Sequence, residues 1–319
     1  MLEAIVGLHH VTAMAGHPQS NLDFYTTVLG LRFVKKTVNF DDPGTYHFYF
    51  GDDAGTPGTI ITFFPWGGAA RGKVGAGEVT HTAYAIPSAS LPYWQARLTR
   101  LNISFERTEA RFGDPVLTFS DPDGMQIELV GTETGPAPRA PRFADVPAEH
   151  SLRAFHGVTM LQRELPKTAA ALELLGYKQV AAEGSRIRFS TGSHAAAKFI
   201  DIVLDPAAGQ GRLGVGSVHH IAFRAPDDAA QEAWRQQINR HIPSSPIMER
   251  DYFRSIYFRE PGGVLFELAT DTPGFATDET PETLGEQLCI PSWLEPQRAA
   301  IEQRLVPVVL HKAVAGVTQ

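Results

Sequence analysis

The chain has 319 residues, 43% hydrophobic and 20% charged, with a formal net charge of -7, so it can bury one large core or two medium ones. No run of Lys or Arg is present to neutralise a phosphate backbone, which argues against nucleic acid as a partner, and no apolar run approaches the roughly 20 residues needed to span a bilayer. Cys289 is the only cysteine, excluding an internal disulfide, a thiolate metal cluster and a CxxC motif, and the N-terminal MLEAIVGLHHVTA lacks the features of a signal peptide; a cytoplasmic protein is expected.

In chain order, LHHVTAM (8–14) reads as a strand and PQSNLDFYTTVLGLRFV as an amphipathic helix stopping at Gly30. The Phe24 and Tyr25 of that helix fall at core spacing. VTHTAYAI (79–86) is a second short apolar strand, and SDPDGMQIELV (120–130) is an acidic-Pro-x-Gly turn leading into a strand that carries Glu128. The Pro-rich stretch GTETGPAPRAPRFADVP (131–147) reads as a linker. FHGVTML (155–161) then repeats the first strand, and PKTAAALELLGYKQV the first helix, stopping at Gly176. VHHIAFRA (218–225) and REPGGVLFELA (259–269) repeat the second pair without a gap: His81 to Glu128 and His220 to Glu267 are both 47 residues. The chain is therefore four modules starting near His10, His81, His156 and His220, each a strand, a helix and several strands. The tail holds Leu288, Ile290, Trp293 and Leu294, suited to covering a pocket or a partner in a homo-oligomer, and the amphipathic PQRAAIEQRL; Cys289 serves there as a small hydrophobe.

Paired βαβββ modules with an early-strand His and a late-strand Glu resemble the vicinal oxygen chelate superfamily of glyoxalase I, bleomycin-resistance proteins and extradiol dioxygenases. Coverage runs from about residue 5 to 275. GLHHVTAMAGHPQSNLDFYTTVLGLRFVKKTVNFDDPGTYHFYFGD, SVHHIAF and RDYFRSIYFREPGGVLFELATDTPGF are more narrowly similar to the hydroquinone ring-cleaving dioxygenases. The resemblance implies an α+β fold of four modules in two tandem domains, 1–135 (modules one and two) and 150–275 (modules three and four), with an extension over 276–319. It implies an extradiol-type, Fe(II)-dependent oxidoreductase, Mn(II) being the other ion considered, that cleaves a small aromatic diphenol with O2.

Two imidazoles and a carboxylate with open positions form the facial triad that suits Fe(II). Glu267 interrupts an apolar strand, where a bare carboxylate needs a cation or strong hydrogen bonds, and His220 holds the matching early position of the same module. The third ligand comes from module one or three. Aligning HHVT with HGVT places His156 opposite His9 and Gly157 opposite His10, whereas aligning the helices places His156 opposite His10, and the residues alone leave both open. The resemblance implies His10, His220 and Glu267. Such a site requires modules one and four to pack together, leaving His81, Glu128 and His156 as a vestigial second site.

At the 139-residue offset Arg250 matches Arg111, but Tyr257 matches Thr118 and His219 matches Thr80, so only module four carries the extra acid/base groups. The resemblance places Tyr257 in the active site, with Arg250 or a histidine assisting it. Thr12, two residues after His10, shares its face, while His9 and His219 should point away from the metal on regular strands, or sit at the pocket edge as the family implies. No separate organic cofactor site is expected. Two rivals remain. A glyoxalase-type isomerase needs a second carboxylate, which the last strand of module one, GTIITFFPW, does not offer, and a drug-sequestering protein needs no triad.

Overall fold

The structure is a computed structural model, which describes residues 5–137, 141, 144–192 and 196–311. Residues 138–140 and 142–143 of the expected linker, and the last eight of the tail, lie outside the described residues.

The four expected modules are present. Module one is β1 (Leu8–Ala15), α1 (Pro18–Asp23), β2 (Arg32–Val38), β3 (Tyr46–Gly51) and β4 (Ile60–Pro65). Module two is β5 (Glu78–Ile86), α2 (Leu91–Arg100), β6 (Phe105–Arg111), β7 (Asp114–Ser120) and β8 (Gln126–Gly131). Module three is β9 (Phe155–Gln162), α3 (Pro166–Leu174), β10 (Lys178–Glu183), β11 (Arg186–Ser190) and β12 (Phe199–Leu204). Module four is β13 (Val218–Ala225), α4 (Asp228–Ile238), β14 (Met248–Glu249), β15 (Phe253–Arg259) and β16 (Leu265–Pro273), followed by the extension with α5 (Arg298–Arg304). The first predicted helix is α-helical only to Asp23 and closes with a π turn, Phe24–Val28, before Gly30 turns the chain at φ +68°.

These modules form two eight-stranded sheets, β14-β15-β16-β13-β1-β4-β3-β2 and β10-β11-β12-β9-β5-β8-β7-β6. Each sheet takes one module from each half of the sequence, so 1–135 and 150–275 do not map one to each sheet. The central pair of the first sheet is antiparallel β1/β13, and that of the second is β5/β9.

The expected strict alternation along these central strands is broken. Leu8 pairs with Phe223 and His10 with Ala222, leaving His9 as an extra residue in β1; Thr12 pairs with His220 and Ala13 with Val218, leaving His219 extra in β13. Thr80 and His156 are the extra residues at the matching places of the second sheet. These β-bulges shift side-chain parity. Leu8 thereby joins Val11 and Ala13, and Val218 joins Ile221 and Phe223, in the main apolar core.

The acidic-Pro-x-Gly turns tie the sheets together. Tyr25 donates from its hydroxyl to Asp121 Oδ2 at 3.1 Å, and the Gly16 amide to Asp123 Oδ2 at 2.8 Å. At the equivalent turn, Thr168 Oγ1 and Gln162 Nε2 donate to Glu260. Phe24 and Tyr25 are buried as expected.

Candidate metal centre

His10 and His220 arrive on neighbouring central strands and Glu267 on β16, directly beside Ala222 of β13. Glu267 Oε2 lies 2.8 Å from His220 Nε2 and 3.3 Å from His10 Nε2, and the two nitrogens are 3.3 Å apart. All three side chains are buried, Glu267 at 0% exposure. The only other such donor group among the described residues, Asp278, Glu279 and Cys289, is already filled by the ammonium of Lys35, 2.5 and 2.6 Å from the two carboxylates.

The donor set fits a divalent cation. Glu267 Oε2 is buried without a hydrogen-bond partner, because neither neighbouring ring nitrogen meets it with donor geometry. Its other oxygen, Oε1, accepts a short 2.5 Å bond from Ser255 Oγ. Each ligand ring engages its bulged neighbour through Nδ1, His10 with His9 at 2.9 Å and His220 with His219 at 2.7 Å. A proton placed on Nδ1 by that contact leaves Nε2 as a bare lone pair turned toward the carboxylate. Three electron-rich atoms then converge in a desolvated place, the arrangement a cation stabilises. Burial alone would raise the Glu267 carboxyl, and only positive charge at the facing His10 and His220 nitrogens, a proton or a bound cation, holds it well below the usual range. Burial pushes His220 down, and His219 down to about 3, so both stay neutral.

The triad opens into a cavity of about 410 Å³. Phe40, Phe64, Trp66, Phe253 and Leu265 give it apolar walls, and Thr12, His219, Arg250 and Tyr257 line it as well. Tyr257 sits opposite Glu267 in the β15/β16 register. Arg250 Nε donates to the Tyr257 hydroxyl at 3.3 Å and its guanidinium stands 5.4 Å from the ring centre. Burial, with Glu267 nearby, pushes Tyr257 well above its ordinary value, so it keeps its proton. His9 is not on the cavity wall. It is buried behind His10, so of the two bulged histidines only His219 sits at the pocket.

Several wall and support residues escaped the sequence reading: Ser255, Asn39, Asp41, Asp42, His47, Tyr49 and, behind them, Thr62. Which face of β3 meets the cavity follows only from its pairing with β4. Among the described residues, none of the tail lines the cavity. The Cys289 amide donates to the Lys36 carbonyl along the edge of β2, and Trp293 packs against the rim residue Phe40 at 5.6 Å. Burial raises the Cys289 thiol to about 12, in keeping with an unreactive apolar role.

The second sheet shows what became of the duplicate site. Gly157 pairs with Ala83 as His10 pairs with Ala222, so it occupies the ligand position of module three, and His156 is the counterpart of His9. A Cβ at Gly157 would lie 2.2 Å from the Phe199 carbonyl oxygen, leaving no room for a longer side chain. Arg111 donates to Glu128 at 2.6 Å, and Arg186 and Arg188 pair with Asp201. Guanidinium groups thus neutralise the carboxylates there, and His81, Glu128 and His156 do not converge as a donor group.

Residues 7–129 match the Glyoxalase/Bleomycin resistance protein/Dioxygenase superfamily. The chain is 47% identical over 309 residues to the "Putative ring-cleaving dioxygenase MhqO" of Bacillus subtilis (strain 168), covering 96% of this chain and 98% of that protein. The chain belongs to this superfamily. Another superfamily relative, the "Chlorohydroquinone/hydroquinone 1,2-dioxygenase" of Sphingobium indicum, is 36% identical over 301 residues, 92% of this chain and 94% of its own length. A crystal structure of a dioxygenase of Bacillus subtilis subsp. subtilis str. 168, titled "putative", superposes with a TM-score of 0.93 at 46% identity, covering 97% of this chain and 99% of that one. The two sheets are thus tandem vicinal oxygen chelate modules, α+β as the sequence implied.

Proposed function

We propose that this protein is an Fe(II)-dependent, extradiol-type dioxygenase that opens the ring of a small hydroquinone or catechol. The observation that carries the reading is the buried triad of His10, His220 and Glu267 opening on an aromatic-walled cavity. Relatives across nearly the whole chain named as ring-cleaving and hydroquinone dioxygenases support it. Fe(II), or Mn(II) in its place, would be held by these three residues and would supply O2 activation and the acidification of a coordinated phenol.

The rest falls to the chain. Phe40, Phe64, Trp66 and Phe253 bind a flat ring and keep water from it. His219, a neutral wall group whose Nδ1 accepts from His220, has its Nε2–H left to donate to a substrate oxygen. Tyr257 keeps its hydroxyl proton and, steadied by Arg250, donates to oxygen atoms that gain negative charge as the ring opens. Thr12 offers a second hydroxyl beside His10. His9 acts through His10 by fixing the orientation of that ring.

A glyoxalase-type reaction is disfavoured by the residue at the fourth ligand place. The register centred on Val11 and Ile221 relates His10 to His220 and Thr62 to Glu267, and Thr62 brings a hydroxyl where a second carboxylate would be required. Anaerobic loading with Fe(II), followed by oxygen uptake on a panel of hydroquinones and catechols, tests the proposal. Uptake with a ring-opened product is expected, and no uptake on any diphenol overturns it.

A further inference from the structure

Thr62, at the place of the missing fourth ligand, heads a row of polar side chains that the reaction scheme above does not use. Thr62 Oγ1 donates to Thr12 Oγ1 at 2.8 Å. His47 Nε2 lies 2.9 Å from Thr62 Oγ1, and the Tyr49 hydroxyl lies 2.9 Å from His47 Nδ1. A hydroxyl has one proton, and Thr62 has given its own to Thr12, so His47 must donate from Nε2. A neutral imidazole then has a bare Nδ1, which accepts from the Tyr49 hydroxyl. Desolvation at the wall, together with the nearby His10, His220 and Arg250, holds His47 well below its ordinary value against the pull of Glu267, so the neutral form applies.

Every proton in the row therefore points the same way, from Tyr49 through His47 and Thr62 to Thr12. With its oxygen already accepting, Thr12 has its own hydroxyl proton left for the cavity that it lines. We propose that Tyr49, His47 and Thr62 are positioning residues that hold Thr12 as a hydrogen-bond donor to an ionised oxygen of the bound aromatic ring. The row orients and does not deliver protons: burial and the neighbouring Tyr257 raise Tyr49 well above its ordinary value, so the far end does not release one. A ring carrying an acceptor oxygen at that point is favoured over one presenting only N–H donors. This inference rests on reading the cavity as a diphenol site.

The test is the ionisation of 4-nitrocatechol bound to the metal-loaded protein without oxygen, followed by visible absorbance against pH. Thr62→Val should raise the ionisation midpoint of the bound probe by about one unit, a tenfold weaker acid, and Thr62→Ser should restore it. With oxygen and a diphenol, Thr62→Val should lower kcat about tenfold more than it changes KM. Tyr49→Phe, which frees His47 to take the other tautomer, should shift the midpoint the same way by a smaller amount, and serves where Thr62→Val fails to fold. An unchanged midpoint in folded, metal-containing Thr62→Val overturns the proposal, as does failure of the wild type to bind the probe. A wild type that binds and ionises the probe, with the predicted shifts, but consumes no oxygen upholds the row and overturns the dioxygenase reading alone.

Discussion

Replacing Ser255 by alanine isolates the role of one hydroxyl in building the metal centre. Ser255 Oγ donates to Glu267 Oε1 at 2.5 Å, and both residues have 0% exposure. A hydrogen bond to a charged group contributes about 1.5–3 kcal/mol. The same bond fixes the rotation of the carboxylate and so leaves Oε2 facing the two Nε2 atoms. Its loss should weaken divalent metal binding roughly ten- to hundredfold, the range seen when an outer-sphere partner of a metal ligand is removed. The measurement is the metal dissociation constant by chelator competition, with circular dichroism to confirm that Ser255→Ala is folded. A dissociation constant within about twofold of wild type, well below the magnitude derived from such a bond, would refute the reasoning that this hydroxyl presents the carboxylate.

Tyr257→Phe should retain the metal, by elemental analysis, while kcat for ring cleavage falls about a hundredfold or more, as expected for loss of a proton donor. Arg111→Ala removes the guanidinium paired with buried Glu128, leaving Arg186 as the charge that still acts on it, and should cost about 3 kcal/mol of stability in urea denaturation, with metal content and oxygen uptake unchanged. Burial holds His156 down to about 3, whereas in the unfolded chain it titrates near 6.5. Between those values the unfolded state binds the extra proton, so His156 makes stability fall as pH falls, by about 1.4 kcal/mol per pH unit. His156→Gln should flatten the decline measured from about pH 6 to about pH 4 by that slope, and an unaltered slope would mean that His156 does not enter folding neutral.

Much of the centre was legible because it is written twice. The 139-residue offset exposed His220 and Glu267 as partners, and their module carries groups that its duplicate lacks, Tyr257 for Thr118 and His219 for Thr80. The preference for His10 over His156 came from resemblance; the β5/β9 register places Gly157 where β1 has His10, with the Phe199 carbonyl filling the space beside it. What the sequence concealed was the bulges. Period-two reasoning assumes one residue per pairing step, and an extra residue at His9 and at His219 brings each alongside the very ligand that alternation turns it away from. Ser255, His47, Tyr49 and Thr62 were hidden for another reason. Their partners lie across strands, in Ser255–Glu267 and Thr62–Thr12, and such pairs leave no local spacing in the chain.

The exchange of modules between sheets sets when the protein can become a metalloprotein during its own synthesis. The first sheet begins at β1 and is completed only by β16, so His10 leaves the ribosome long before its two co-ligands exist. A nascent N-terminal half carries an unpaired central strand and only His10 of the three candidate metal donors. Such a half is also a species whose exposed strand edge favours association with other chains. Assembly of the candidate donor set is thereby coupled to completion of the chain, and a product truncated before Glu267 neither closes its sheet nor brings the three donors together.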